Sequence, residues 1–214
     1  MIHSILKNKL SNVHTIFEIG GHNGADTVIL HKNFPNAIIH SFEANKDMCN
    51  KHLAKLRSNN IKIINKAVGQ SNGKVKFYVD KNKRGDQGAS SLLKSTPGYL
   101  RHYLKAEQEI EVESIRMEDY MKYNGIKKIN LLWMDIEGYE YYVLNDSRHV
   151  LKNVQYIYLE VNFKYFRNHT VLFPQVNKLM SNLRFELIYK ESQGSRRWGE
   201  WQGNVLYRNK DYVE

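Results

Sequence analysis

Short apolar runs alternate with stretches of helical spacing along most of the chain. Residues 13–19 (VHTIFEI) are a nearly continuous apolar run that ends in glycines, and 25–32 follow with helical periodicity. The pattern recurs: an apolar run at 37–42 (AIIHSF) precedes an amphipathic stretch at 46–57, whose apolar points are Met48, Leu53 and Leu56. Further strands are predicted at 61–65, 110–115, 129–134 (INLLWM) and 154–161 (VQYIYLEV), with helices at 139–144 and 171–183. Residues 74–79 (KVKFYV) alternate with period two and predict a half-exposed strand. Residues 80–108 are the least regular, with a loop-like Lys83-Arg84-Gly85-Asp86-Gln87-Gly88, and 185–190 with 204–208 read as a closing pair. No repeat or linker interrupts the chain, so 1–214 are expected to form a single α/β domain. Its sheet should be mostly parallel, with helices on both faces.

Ligands of such sheets sit beyond the carboxyl ends of the strands, near the point where strand order reverses. The first strand ends in Glu18-Ile19-Gly20-Gly21-His22-Asn23-Gly24, just before a helix. Glycines permit a tight turn and close approach to a ligand, and the helix N-terminus beyond offers unpaired N–H groups. Gly20, Gly21 and Gly24 do not have the spacing of a dinucleotide fingerprint, which disfavours a nicotinamide cofactor. The second strand ends in Phe42-Glu43-Ala44, and Glu43 stands where an acid accepts hydrogen bonds from ribose hydroxyls. The third runs into Ala67-Val68-Gly69, small and apolar enough to lie against an adenine ring.

The fourth strand delivers carboxylates at its tip, in Asp135-Ile136-Glu137-Gly138 followed by Glu140. Glu137 and Glu140 also suit the first turn of the next helix, where negative charge complements the dipole. Asp135 has no such structural reason. The fifth strand ends in Glu160-Val161-Asn162; alternate strand residues share a face, so Glu160 and Asn162 are both expected to point toward Asp135.

In order along the chain, these residues resemble the FkbM-type methyltransferases. The likeness covers about 14–208 and rests on five segments: the glycine turn at 18–24, Phe42-Glu43-Ala44, Ala67–Gly69 with the hairpin at 73–77, the Ala-Ser-Ser-Leu of 89–92, and the acidic run at 131–140. Departures are Glu18 for the usual Asp, Gly21-His22 for Ala-Asn, and Trp133 for a Lys. The resemblance implies a class I methyltransferase (Rossmann-like) fold with a seven-stranded sheet, and S-adenosylmethionine as cofactor. It further implies that Glu18, Gly20, Gly21, His22, Asn23 and Gly24 receive the methionine part. Glu43 and Ala44 would hold the ribose, Ala67 and Val68 would line the adenine, and Asp135 would face the reaction centre. Asp135 and Glu137 are the candidates to take a proton from the acceptor. A magnesium ion held by Asp135, Glu160 and Asn162 would serve the same end.

Composition narrows the rest. With 42% hydrophobic residues and 25% charged, the chain has ordinary globular make-up. Cys49 is the single cysteine, so neither an internal disulfide nor a cysteine zinc site is available, and a reducing, cytoplasmic setting is expected. No apolar run approaches the ~18 residues of a membrane span. The formal net charge is +10, all of it carried by residues 1–107. That excess leaves open a nucleic-acid partner, with RNA ribose methylation or an inactive basic binding module as alternatives. The leading expectation is O-methylation of a sugar or glycan hydroxyl, or of a small glycosylated metabolite. The acceptor should enter over 80–108 and the loop 191–203, which holds Arg196, Arg197, Trp198 and Trp201.

Overall fold

A computed structural model describes residues 2–56, 58–81, 87–195 and 199–213. Strands β1 (Thr15–Ile19), β2 (Ile38–Phe42) and β3 (Ile61–Ile64) form one half of the main sheet. Short β4 (Ala67–Val68) and the longer β5 (Gly73–Asp80) and β6 (Glu107–Ile115) form a separate small sheet, ordered β4-β6-β5. Strands β7 (Ile129–Met134), β8 (Val154–Asn162), β9 (Phe185–Ser195) and β10 (Gly199–Asn209) complete the main sheet in the order β3-β2-β1-β7-β8-β10-β9. In the main sheet β10 runs opposite in direction to the six other strands. Strand order reverses between β1 and β7, and the crevice of interest opens above their carboxyl ends.

The apolar runs form central strands because both faces are covered. Phe17, Ile19, Leu132, Met134, Ile157 and Leu159 pack in one layer with Met117, Tyr120, Val143, Leu144 and Val176. Their alternates Ile16, Leu131, Trp133, Tyr156 and Tyr158 pack on the other face with Leu6 and Leu30. Trp133 therefore belongs to the core; its ring lies 4.0 Å from that of Tyr158.

Several elements differ from expectation. A helix at Ile2–Lys9 and another at Met117–Tyr123 were not evident from the pattern, being short and recognisable chiefly by what they cover. The stretch expected as one helix over 46–57 is helical at Lys46–Lys51 and changes to a 3-10 turn at Leu53–Lys55 after His52, whose φ is −120°. The irregular 80–108 region contains a helical turn at Pro97–Tyr99 that continues as a π turn through Leu100–Leu104, and β6 starts within it. The closing pair is longer than predicted, because β9 and β10 pair along eleven residues each. Lys83 to Asp86 and Arg196, Arg197 and Trp198 lie outside the described residues.

Leu6 is wholly buried and anchors the first helix to the sheet. Leu6→Ala is expected to cost about 2–5 kcal/mol, read as a lower urea midpoint with unchanged slope.

Candidate functional site

The site begins where β1 ends. Gly20 has φ +98°, and the N–H groups of Gly20 and Gly21 both donate to the Phe42 carbonyl at 2.9 Å. A Cβ on Gly20 would collide with the Asp135 carbonyl oxygen, so only glycine lets β1 and β7 close at this point. Asn23 accepts from the Ala25 N–H at 3.0 Å and starts the helix Ala25–Asn33. Gly24, at φ +80°, is the residue before that helix and makes its left-handed entry.

Two acids near this turn are held very differently. Glu18 is fully buried beneath it and accepts from Thr27 Oγ1 at 2.6 Å, with the Ser41 hydroxyl alongside. Burial pushes its carboxyl up to about 8, against the pull of those hydroxyls. It does not line the cleft. Glu43 does. Its Oε2 accepts from the His22 N–H at 2.8 Å and its Oε1 from the Asn45 N–H at 2.7 Å, so both connecting loops aim it. Burial raises its carboxyl above the ordinary range, and those two N–H groups oppose the rise.

The cleft, counting the solvent at its open mouth, takes in about 540 Å³. Gly20, His22, Glu43, Ala44, Ala67, Val68 and Asp135 are all on its lining. Lys66, Phe77, Leu92 and Tyr139 join them; the last three lie in segments that carry the family resemblance, though none was singled out as a site residue. Gly21 and Asn23 line a neighbouring opening, shared with His22, Asp135 and Glu137.

Beyond the cleft the strand tips bring three carboxylates together. Oxygens of Asp135, Glu137 and Glu160 lie within 4.8 Å of one another. Glu137 belongs to this group of acids, and the Asn162 side-chain amide comes close to Gly138, the next residue of the same turn. Glu137 and Gly138 both have positive φ, +58° and +99°, and make the turn that follows β7. Glu140 accepts from the Ile136 N–H at 2.9 Å and braces the turn from within, its carboxyl raised by burial to about 7. Asp135 is accessible from the cleft, yet the surrounding protein and then Glu137, Glu140 and Asp26 hold its carboxyl well above the usual range. Glu160 is raised likewise, by burial and by Asp135; its Oε2 has no partner among the described residues, while Gln202 bonds the carboxyl.

Glu137 differs from both because a cation reaches it. Arg167, only 2% exposed, places Nη2 3.5 Å from Glu137 Oε2. The same guanidinium donates to the Ala89 carbonyl, to Leu93 O at 3.3 Å and to Ser95 Oγ at 2.9 Å, and lies 3.6 Å from Glu107. Ser91 adds a second tie, donating toward the carbonyls of Ile136 and Glu137 at 3.3 and 3.0 Å. Arg167 thus joins the 89–95 segment to the acidic turn. It sits in a loop after β8 with no motif around it, so nothing in the sequence marked it.

Residues 18–187 match the Methyltransferase FkbM domain. The chain belongs to the FkbM methyltransferase family. It is a methyltransferase that uses S-adenosylmethionine. The chain is also 24% identical over 202 residues to the 2-O-methyltransferase NoeI of Sinorhizobium fredii (strain NBRC 101917 / NGR234), covering 91% of this chain and 79% of that protein. Among solved structures it resembles the magnesium protoporphyrin IX methyltransferase ChlM of Synechocystis PCC 6803, crystallised with S-adenosylmethionine. The TM-score is 0.54 at 9% identity, over 98% of this chain and 76% of that one. It also resembles TrmK of M. capricolum in complex with S-adenosylhomocysteine, with a TM-score of 0.53 at 11% identity over 100% and 70% of the two chains. These likenesses show the class I methyltransferase fold. Among the described residues of this FkbM-family chain, no helix is long and apolar enough to cross a membrane.

Two outcomes follow from the buried charges. Glu18 holds its proton in the fold up to about pH 8 but ionises near 4.5 when unfolded. Its contribution is therefore fully present below pH 4.5, declines as pH rises, and is gone above about pH 8. Urea midpoints of Glu18→Gln are expected to gain on wild type steadily from pH 5 to 8. Arg167→Met strands Glu137 and Glu107 without their cation and is expected to cost about 3–5 kcal/mol, with Glu137→Gln in the same chain restoring part of the loss.

Proposed function

We propose that this methyltransferase acts on oxygen, transferring the methyl group to a hydroxyl of a sugar, glycan or small glycosylated metabolite. The observation that carries the reading is the continuity of the cleft with the acid cluster: a slot with Glu43 on its wall reaches Asp135, whose carboxyl oxygen lies within 4.8 Å of those of Glu137 and Glu160. The similarity to NoeI, a 2-O-methyltransferase, supports oxygen as the acceptor atom.

The residues present suit the cofactor. Glu43 is fixed by backbone donors to two loops and borders the cleft, so its remaining lone pairs serve two vicinal ribose hydroxyls. Ala67, Val68, Phe77 and Leu92 offer an apolar slot for a flat base. The turn at 20–24, with Asp135 opposite, takes the charged amino-acid end. Glu18 supports that turn from below rather than touching the ligand. When bound, S-adenosylmethionine supplies an activated methyl on a sulfonium, which becomes a thioether when the acceptor oxygen takes the methyl.

The chain's own task is to place the acceptor oxygen and take its proton. Glu137 is the proposed base. Burial raises its carboxyl, but Arg167 favours the ionised form, a support that neither Asp135 nor Glu160 has. Asp135, at the tip of the central strand, orients the acceptor hydroxyl and the cofactor's amino group. Arg167 already supplies positive charge to the cluster at Glu137, so proton removal there is assigned without magnesium. RNA is the weaker reading, since three carboxylates at the transfer point oppose a phosphodiester chain.

Isothermal titration with S-adenosylhomocysteine tests the cofactor assignment: Glu43→Ala should weaken binding by roughly tenfold or more, the loss of about 1.4 kcal/mol. Equal affinities would remove Glu43 from the site. Glu137→Gln should cut kcat by about 10²–10⁴ with cofactor affinity intact. In wild type the acid limb of kcat should fall above pH 4.5, because the base is raised from that value.

A further inference from the structure

A second hollow opens beside the acid cluster. Tyr99, Tyr103, Lys164, Phe166, Trp201 and Gln202 line an open hollow that, counting the solvent at its mouth, takes in about 920 Å³. They come from three places: the helical turn over 97–104, the loop after β8, and β10. The Tyr99 ring lies 5.1 Å from Phe166 and 5.5 Å from Tyr103, and Tyr103 crosses Phe166 at 6.5 Å and 72°. None of these aromatics belongs to the packed core, and Tyr103 is 68% exposed. Folding therefore gives no account of why they gather here.

Two contacts join the hollow to the reaction point. Gln202 bonds the Glu160 carboxyl, and Tyr99 lies under the Arg167 guanidinium at 5.6 Å, the cation that pairs with Glu137. A ligand resting on the aromatic rings thus presents its inner edge to the carboxylates. The lining is specific in chemistry: flat apolar faces, with an amide and an ammonium at the rim. That combination matches a ring with one apolar face and a hydroxyl-bearing edge. Polyphosphate is disfavoured, because one lysine faces it while three acids stand at the inner end.

We infer that this hollow is the acceptor subsite and holds a neutral pyranose ring of a glycan, stacked on the aromatic side chains with its edge toward Asp135, Glu137 and Glu160. The inference rests on the methyl-transfer reading above and names the substrate class that reading needs.

The test is a glycan array carrying neutral and acidic saccharides together with an oligoribonucleotide, probed with the full chain. S-adenosylhomocysteine titration runs alongside. Neutral saccharides should be retained and the oligoribonucleotide should not. Tyr103→Ala and Trp201→Leu should each weaken retention by roughly tenfold or more. Used as methyl acceptor, the retained glycan should show a matching rise in KM, with kcat and S-adenosylhomocysteine affinity close to wild type. Tyr123→Ala, equally exposed but outside the hollow, should change nothing. Binding of S-adenosylhomocysteine without retention of any neutral saccharide would overturn the subsite while leaving methyl transfer standing. So would unchanged retention by Tyr103→Ala and Trp201→Leu, or capture of the oligoribonucleotide that those substitutions abolish. Failure of wild type to bind S-adenosylhomocysteine would bring down the methyl-transfer reading and the subsite together.

Discussion

A buried arginine holds the reactive end of this protein together. Carboxylates crowd the tips of β7 and β8, and like charges at such short range resist joint ionisation. Arg167 offsets that repulsion at one member, Glu137, while its other N–H groups engage the chain from Ala89 to Ser95. One side chain therefore decides both the charge state of the acidic turn and the position of the segment that closes over it. With Glu107 also within reach, the guanidinium has partners on two sides, which makes its near-complete burial tolerable.

The same economy of geometry separates the two acids at the glycine turn. Glu18 lies in a strand, opposite Trp133 in register, and shares the face covered by the first two helices. It is buried there, largely protonated, and bonded to Thr27. Glu43 lies just past the end of β2, where the strand has given way to a loop, and the N–H groups of His22 and Asn45 turn its carboxylate to the cleft. Chemically similar residues thus have unlike roles. Their difference is one of position relative to the sheet.

Much of the scaffold was readable in the chain. The alternation of apolar runs and helical stretches marked every strand of the main sheet, since periods of two and 3.6 are local properties. The glycine turn, Glu43, Ala67, Val68 and Asp135 were legible because strand ends and tight turns have distinctive residues. The helices Ile2–Lys9 and Met117–Tyr123 were not, because each is short and stabilised chiefly by docking. Trp133, which interrupts the acidic motif, is a core residue packed on Tyr158 rather than a wall of the cleft.

Sequence alone determined the order of the elements, the residues at the strand tips and the family to which they belong, all of which depend on neighbours within a few positions. Tertiary structure decided that carboxyl oxygens of Asp135, Glu137 and Glu160 gather at one point, beside a turn with two positive φ angles. It also decided that Arg167 meets Glu137 and Ala89, and that Tyr99, Phe166 and Trp201 share one hollow. Those meetings join segments tens of residues apart, and no local rule of spacing carries information across such a gap.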